Sequence, residues 1–145
     1  MIENFVALFT DEHITYVERT NRFFFVPDDV LSHEEKNGLK TLSIGLPLGE
    51  IKNTEFHPSL PLLSWIAEHS THKVFITDKA TWLFLCGRDV PKDAIIKTYV
   101  EYGLVLVQNK ENENLGYGKI TPKGIRNLLD RGDYLRRERK SSRTL

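Results

Sequence analysis

Short β-prone runs separated by turn residues dominate the second half of the chain, and this pattern restricts the fold more than any other feature. A single short helix, predicted over residues 79–86 and ended by Gly87, interrupts the runs. Several short strands with one small helix are typical of a small β-barrel or roll. The predicted strands are 74–76, Val90, 95–96, 104–107 and 115–120, with an exposed turn over 110–114.

The short helix, the cysteine that follows it and the segment 122–129 each give a specific expectation. Asp78 is expected to cap the short helix, and Trp82 and Phe84 are expected to pack it onto the barrel. Cys86 ends an apolar run and is expected to be a buried structural thiol. Residues 122–129 fit either a helix or a closing strand, and the sequence leaves both open.

The first half combines extended segments with helices. Residues 14–18 and 22–26 predict a β-hairpin, because only turn-tolerant residues separate them. A helix is predicted from Pro27 to Gly38, followed by extended pieces over 42–45 and 48–51. Ser59 predicts an N-cap for a helix over 60–69. Residues 70–72 then break the pattern and mark a candidate domain boundary.

Composition excludes several classes of protein. The chain has 145 residues and one cysteine, which excludes an intramolecular disulfide and a multi-cysteine zinc site. It contains no run of roughly 18 apolar residues, so no transmembrane helix is expected. The first residues lack the basic start and apolar stretch of a signal peptide, and we expect a cytoplasmic protein.

Charge is divided unevenly along the chain, although the formal net charge is zero. Residues 1–118 carry 11 basic and 17 acidic side chains, whereas residues 119–145 carry 9 basic and 3 acidic ones. Segregation of this kind indicates a polyanion-binding patch, or a solvated tail.

Several segments in order resemble a PUA domain, a small pseudobarrel best known for binding structured RNA. The first half is similar to the pre-PUA domain of a two-domain family, whose archaeal and eukaryotic members assemble the large ribosomal subunit and process pre-rRNA. The segments that carry the resemblance are 23–26, 42–45, 48–49, 62–67, 73–76, 79–90, 103–107, 115–118 and 132–138.

The resemblance implies an α+β fold, with an N-terminal α/β pre-PUA domain at 1–71 followed by a PUA-type β pseudobarrel at 72–145. Relative to longer members, most of a leading helix is expected to be missing. The implied function is non-catalytic binding of rRNA or pre-rRNA, with ribosome-assembly proteins contacting the acidic N-terminal domain, and the implied source is archaeal. The alternatives are a protein-interaction scaffold and the RNA-targeting subunit of an RNA-modification enzyme.

Two sets of basic residues are the candidate RNA contacts. The C-terminal set can bind phosphate bidentately through its arginines, and the resemblance also implies RNA contact near this closing segment. It consists of Arg136, Arg137, Lys140 and Arg143. The second set flanks the short helix and the last strands and consists of Lys79, Arg88, Lys119, Lys123 and Arg126. Tyr117 and Tyr134 either stack on an unpaired base or belong to the core edge.

No catalytic or cofactor motif emerges from the sequence. The five histidines show no HxH or HExxH spacing, and no metal site is expected. Gly116-Tyr117-Gly118 lacks the third glycine of a dinucleotide fingerprint and is better explained by a bulge or a close backbone approach. We therefore expect no catalytic residues, no cofactor and no membrane partner.

Overall fold

The protein consists of two compact units, Met1–Ile66 and Ala67–Leu145. The computed structural model describes residues 1–26, 45–133 and 136. The predicted helix from Pro27 to Gly38 and the extended residues 42–44 lie outside the described residues. The division between the units falls within a helix, a few residues before the predicted domain limit at residues 71 and 72.

The N-terminal unit is built on an antiparallel meander of four strands in the order β1-β2-β3-β4. One short helix precedes the meander and a longer one follows it. The elements are α1 (Ile2–Ala7), β1 (Tyr16–Arg19), β2 (Arg22–Phe25), β3 (Pro47–Lys52), β4 (Glu55–Pro58) and α2 (Leu60–His69). The predicted hairpin is therefore confirmed, and it is tighter than the sequence indicated, because Arg19 pairs directly with Arg22.

Two-residue turns with positive φ close both outer hairpins of this meander. Thr20 and Asn21 have φ of 51° and 64°, and Asn53 and Thr54 have φ of 50° and 66°. This is the conformation of a type I′ turn, whose twist matches the twist of the flanking strands. Asparagine tolerates it well, whereas threonine rarely adopts it.

Ser59 begins helix α2 as the sequence predicts. Its Oγ accepts a hydrogen bond from the Leu62 N–H (3.2 Å) and donates one to the Pro47 carbonyl (2.6 Å). The hydroxyl thereby satisfies one of the free N–H groups at the start of the helix and ties it to β3. Leu62, Leu63 and Ile66 are fully buried, which explains why the apolar stripe predicted this helix correctly.

The C-terminal unit contains a six-stranded mixed sheet in the order β6-β10-β9-β8-β5-β7, curled into a half-barrel. Strand β5 pairs in parallel with β8, and the other pairs are antiparallel. The elements are β5 (Lys73–Ile76), α3 (Asp78–Leu85), β6 (Val90–Pro91), a 3₁₀ turn (Lys92–Ala94), β7 (Ile95–Thr98), β8 (Leu104–Gln108), β9 (Asn114–Thr121) and β10 (Gly124–Asp130). A helical segment begins at Arg131.

One hydrophobic core fills the concave side of this sheet. Phe84 is its largest member and is fully buried, as the sequence predicts. Inward-facing residues of β5, β6, β8, β9 and β10 surround it. The cluster consists of Val74, Ile76, Ala80, Phe84, Val90, Val105, Val107, Leu115 and Ile125.

Helix α3 differs from the prediction in three respects. Thr77 is the N-cap, because its Oγ1 accepts a hydrogen bond from the Ala80 N–H (3.2 Å), so the assignment of the cap to Asp78 was wrong. Ala80 and Phe84 form the buried stripe, and Trp82 therefore points away from the core and is 66% exposed. Cys86 lies beyond the last helical turn and is exposed, so the expected buried thiol was also wrong.

The ambiguous segment 122–129 is a turn followed by strand β10, which closes the sheet against β9 and β6.

Asn114 is not in an exposed turn, although the sequence predicts one over residues 110–114. It is buried at the start of β9, where its Nδ2 donates to Gln108 Oε1 (2.7 Å) and to the Gly116 carbonyl (3.0 Å). Gly116 itself confirms the close-approach explanation, since a Cβ there would lie 1.9 Å from the Leu129 carbonyl oxygen.

Candidate nucleic-acid interface

Lys119 and Arg126 lie directly opposite each other on β9 and β10. Both side chains are exposed, and opposite residues of an antiparallel pair project from the same face of the sheet with Cβ atoms about 5 Å apart. Like charges in this position repel each other. Within the described part of the chain neither residue has an ion-pair partner, so the strand register holds two uncompensated cations together.

The turn between β9 and β10 extends this positive surface. Lys123 is exposed in the turn, and its carbonyl accepts a hydrogen bond from the Lys92 N–H (2.9 Å). The 3₁₀ turn therefore brings Lys92 beside the candidates that the sequence identified. Sequence reasoning missed Lys92, because only the pairing of β6 with β10 places it there. We call Lys119, Lys123 and Arg126 the basic hairpin.

Arg88 lies on the loop that follows α3, and Asn127 holds that loop against β10. The Asn127 side chain donates to the carbonyls of Phe84 (2.9 Å) and Arg88 (3.3 Å), and its backbone N–H donates to Asp89 Oδ1 (2.9 Å). Asn127 directly follows Arg126 in β10. The backbone of Arg88 is therefore anchored next to the basic hairpin, while its side chain is exposed.

Arg136 has an internal role. Its Nη1 donates to the Leu85 carbonyl at the end of α3 (2.7 Å), and its Nη2 lies 3.1 Å from Asp130 Oδ2. Asp130 is 3% exposed and also accepts hydrogen bonds from Asn127 Nδ2 (3.1 Å) and the Asp133 N–H (2.8 Å). A guanidinium that joins a buried carboxylate to a helix C-terminus stabilises the fold. Contact between Arg136 and RNA stays a prediction.

Gly87 provides the space for this arrangement. Its φ of 91° confirms the predicted left-handed end of the helix, and a Cβ there would lie 3.0 Å from Arg136 Nη2. Arg131 is also engaged, because its Nε donates to the Asn114 carbonyl (2.5 Å). Two of the basic residues in the C-terminal charge block thus make internal contacts. Arg137, Lys140 and Arg143, together with Tyr134, lie outside the described residues.

Lys79 and Trp82 share the exposed side of α3. They are three residues apart, which places them on one face of a helix. No contact of the described residues joins Lys79 to the basic hairpin, so Lys79 stands apart from the other candidates. The exposed indole of Trp82 is an additional candidate for base stacking, which sequence reasoning missed because it expected Trp82 to pack against the barrel.

Tyr117 lies at the core edge on β9. It is half-buried, and burial raises the pKa of its phenol above the ordinary value of 10.0.

Among residues 1–26, 45–133 and 136, no group of three or more histidine, cysteine, aspartate or glutamate side chains is placed to hold a metal ion. In the same part of the chain no helix has the length and apolarity needed to cross a bilayer.

Comparison with known proteins gives a consistent result for the C-terminal unit. Residues 72–139 match the family model described as "UPF0113 PUA domain". The chain is 28% identical over 109 residues to a UPF0113 protein of Archaeoglobus fulgidus, a match covering 66% of this chain and 62% of the relative. The chain therefore spans less than two thirds of that relative's length.

A solved structure shows the same fold. A conserved PUA domain protein from Thermoplasma acidophilum superposes with a TM-score of 0.57 at 16% sequence identity, covering 94% of this chain and 91% of the other. A hypothetical protein from the archaeon Pyrococcus horikoshii OT3 gives a TM-score of 0.48 at 13% identity, covering 83% of this chain and 75% of the other. The Thermoplasma structure and the family match confirm the α+β fold with a PUA-type half-barrel.

Proposed function

We propose that this protein binds ribosomal RNA or its precursor in the cytoplasm during assembly of the large ribosomal subunit, without catalysing a reaction. The PUA-type unit supports RNA as the ligand, because the structural comparison and the family match agree on that fold. Large-subunit assembly is the finer part of the proposal and rests on the resemblance of the sequence to the two-domain assembly factors. In the proposed complex the acidic N-terminal unit contacts an assembly protein.

The observation that carries the proposal is the pair of Lys119 and Arg126, for which the described residues supply no carboxylate partner. Two cations held opposite each other without a carboxylate are destabilising for the free protein and favourable when a phosphate lies between them. The N-terminal unit contains a cross-strand pair of cations that does have a carboxylate beside it. Arg19 and Arg22 are also cross-strand partners, but Glu50 lies directly across from Arg22, with its Oε2 3.9 Å from the Arg22 Nε.

The experiment is a fluorescence-anisotropy titration of labelled rRNA fragments over a series of salt concentrations. Replacing Lys119 and Arg126 together with Ala should weaken binding by about tenfold and lower the slope of log K against log salt by about two, one for each lost phosphate contact. The matched control replaces Arg19 and Arg22 with Ala, which removes the same charge and should change neither quantity.

Equal losses in the two double variants would contradict a specific role for the basic hairpin. Absence of salt-sensitive RNA binding, together with a stable protein complex recovered by pull-down, would favour the protein-interaction scaffold. Turnover of the bound RNA by the purified protein would contradict binding without catalysis and favour a role in RNA modification.

A further inference from the structure

A second surface of the C-terminal unit combines aromatic rings with lysines, and it is formed by strands β5 and β7, the residue that follows β7 and the turn between β8 and β9. Phe75, Ile96, Lys97, Tyr99 and Lys110 line an open cavity of about 310 Å³. We call this group the aromatic–lysine cluster. The basic hairpin and Arg88 contribute nothing to its lining, so this surface is distinct from the candidate interface described above.

Strand pairing places these side chains on the outer face of the sheet. Phe75 pairs with Lys97, whereas its neighbours Val74 and Ile76 point into the core. The register shifts between Phe75 and Ile76, which inserts Ile96 as an extra residue in β7. A bulge of this kind redirects side chains, and here Ile96 becomes 52% exposed while Ile95 packs against the core.

The two rings contact each other, and one of the two lysines lies over a ring. The Phe75 and Tyr99 rings lie 6.1 Å apart in an edge-to-face arrangement, and Lys97 Nζ lies 4.7 Å from the centroid of the Tyr99 ring. Tyr99 is nevertheless 54% exposed, so a large part of it is open to a ligand. Lys110 pairs with Asp78 at 3.5 Å, but both side chains are at least half exposed, and such a pair is readily exchanged for another anion.

Protection of a sheet edge does not explain this surface. Strand β7 is the last strand of its sheet and has β5 as its strand neighbour among the described residues. A lysine on such an edge discourages pairing with another chain. However, an edge protected only in this way would not also expose an isoleucine and a tyrosine, since exposed apolar residues in a group mark an interaction site.

We propose that the aromatic–lysine cluster binds a single-stranded segment of RNA, with a base stacked on Tyr99 and the neighbouring phosphates held by Lys97 and Lys110. Stacking platforms combined with cations that follow the backbone are the general means by which proteins bind single strands. Both charged residues of the lining are lysines, which complements a phosphate backbone. This proposal rests on the proposed function, in which RNA is the ligand of the protein. It adds a second contact surface, which binds single-stranded RNA.

The test uses the full chain and a fluorescein-labelled decauridylate. Tyr99→Ala should weaken its binding by about tenfold, because the base loses the ring on which it stacks. Tyr99→Phe keeps the ring and should bind as the unaltered protein does. Tyr102→Ala removes a tyrosine of the same unit that is 84% exposed and outside the cluster, and it should have no effect. Lys97→Ala should lower the slope of log K against log salt by about 0.7, because it removes one phosphate contact to a single strand.

Two outcomes distinguish the failure of this proposal from the failure of the proposed function. If Tyr99→Ala binds decauridylate normally while the Lys119 and Arg126 double variant loses affinity for rRNA, the cluster has no role in RNA binding and the proposed function stands. If the unaltered protein binds neither RNA, both proposals fail. If the cluster binds an acidic extended peptide and RNA does not compete with that peptide, the surface is assigned to a protein partner and the single-strand proposal is overturned. Circular dichroism melting of every variant ensures that the comparison is made on folded protein.

Discussion

At the scale of single residues, Asp130 joins strand β10 to the helical segment that follows it. Its carboxylate accepts hydrogen bonds from Asn127 Nδ2 and the Asp133 N–H and pairs with Arg136. Asp130→Ala would remove the acceptor of the Asp133 N–H and the buried anion beside Arg136, and we expect a loss of about 2–3 kcal/mol in the free energy of unfolding. Water reaches the half-exposed Arg136, which keeps the loss at the lower end of the range for broken buried pairs. Urea denaturation measures it.

The matched control for Asp130 is Asp93→Ala. Asp93 is an exposed carboxylate in the 3₁₀ turn of the same unit, and removing it should change the free energy of unfolding by less than about 0.5 kcal/mol. Similar losses in both variants would show that the convergence of donors on Asp130 does not contribute to stability.

Tyr117 gives a prediction for alkaline pH. Burial raises the pKa of Tyr117 above 10.0, so the folded protein holds this proton more tightly than the unfolded chain. The stabilising contribution is complete below pH 10 and is lost as the pH rises above it, because the unfolded state ionises first. In an absorbance titration at 295 nm, Tyr117→Phe should remove a phenolate transition with a midpoint above 10. Removal of a transition at or below 10 would contradict the burial of this ring.

At the scale of elements, close pairing of β9 with β10 depends on Gly116. Its φ is 146°, and a Cβ would lie 1.9 Å from a backbone oxygen that cannot move without breaking the pair. Gly116→Ala should therefore cost more than about 3 kcal/mol or prevent folding of the C-terminal unit. Gly103→Ala is the control, because Gly103 has φ of 86° but open space around it, and it should cost only about 1 kcal/mol. Thermal unfolding that ranks the two variants equally would exclude steric contact as the cause.

A helix whose limits are set by its own residues could be predicted from the sequence. Which of its side chains are buried depends on the elements that pack against it. Ser59 and the apolar stripe after it define α2 locally, and that prediction is confirmed. For α3 the sequence predicts a cap at Asp78, and its five consecutive apolar residues, 82–86, do not distinguish the buried face of the helix from the exposed one. Only the packing of Ala80 and Phe84 into the sheet decides which cap is used and turns Trp82 and Cys86 outward.

At the scale of the whole molecule, the division of charge could be predicted from the sequence, but its use could not. Lys119 and Arg126 are seven residues apart in the chain, and the register of β9 and β10 makes them neighbours. Lys92 joins them only through the pairing of β6 with β10. Conversely, Arg131 and Arg136 belong to the same basic block and make internal contacts. A count of charges therefore overestimates the cations available to a polyanion.

The C-terminal block should accordingly separate into two classes of residue. Arg136→Ala leaves buried Asp130 without its cation and should lower the free energy of unfolding by about 2 kcal/mol. Replacing Arg137, Lys140 and Arg143 together with Ala should weaken binding to rRNA and lower the salt slope by about three. Urea denaturation and the anisotropy titration measure the two quantities on each variant. Unchanged RNA affinity in the triple variant would remove Arg137, Lys140 and Arg143 from the interface and leave the basic hairpin as the phosphate contact, since strand pairing holds Lys119 opposite Arg126.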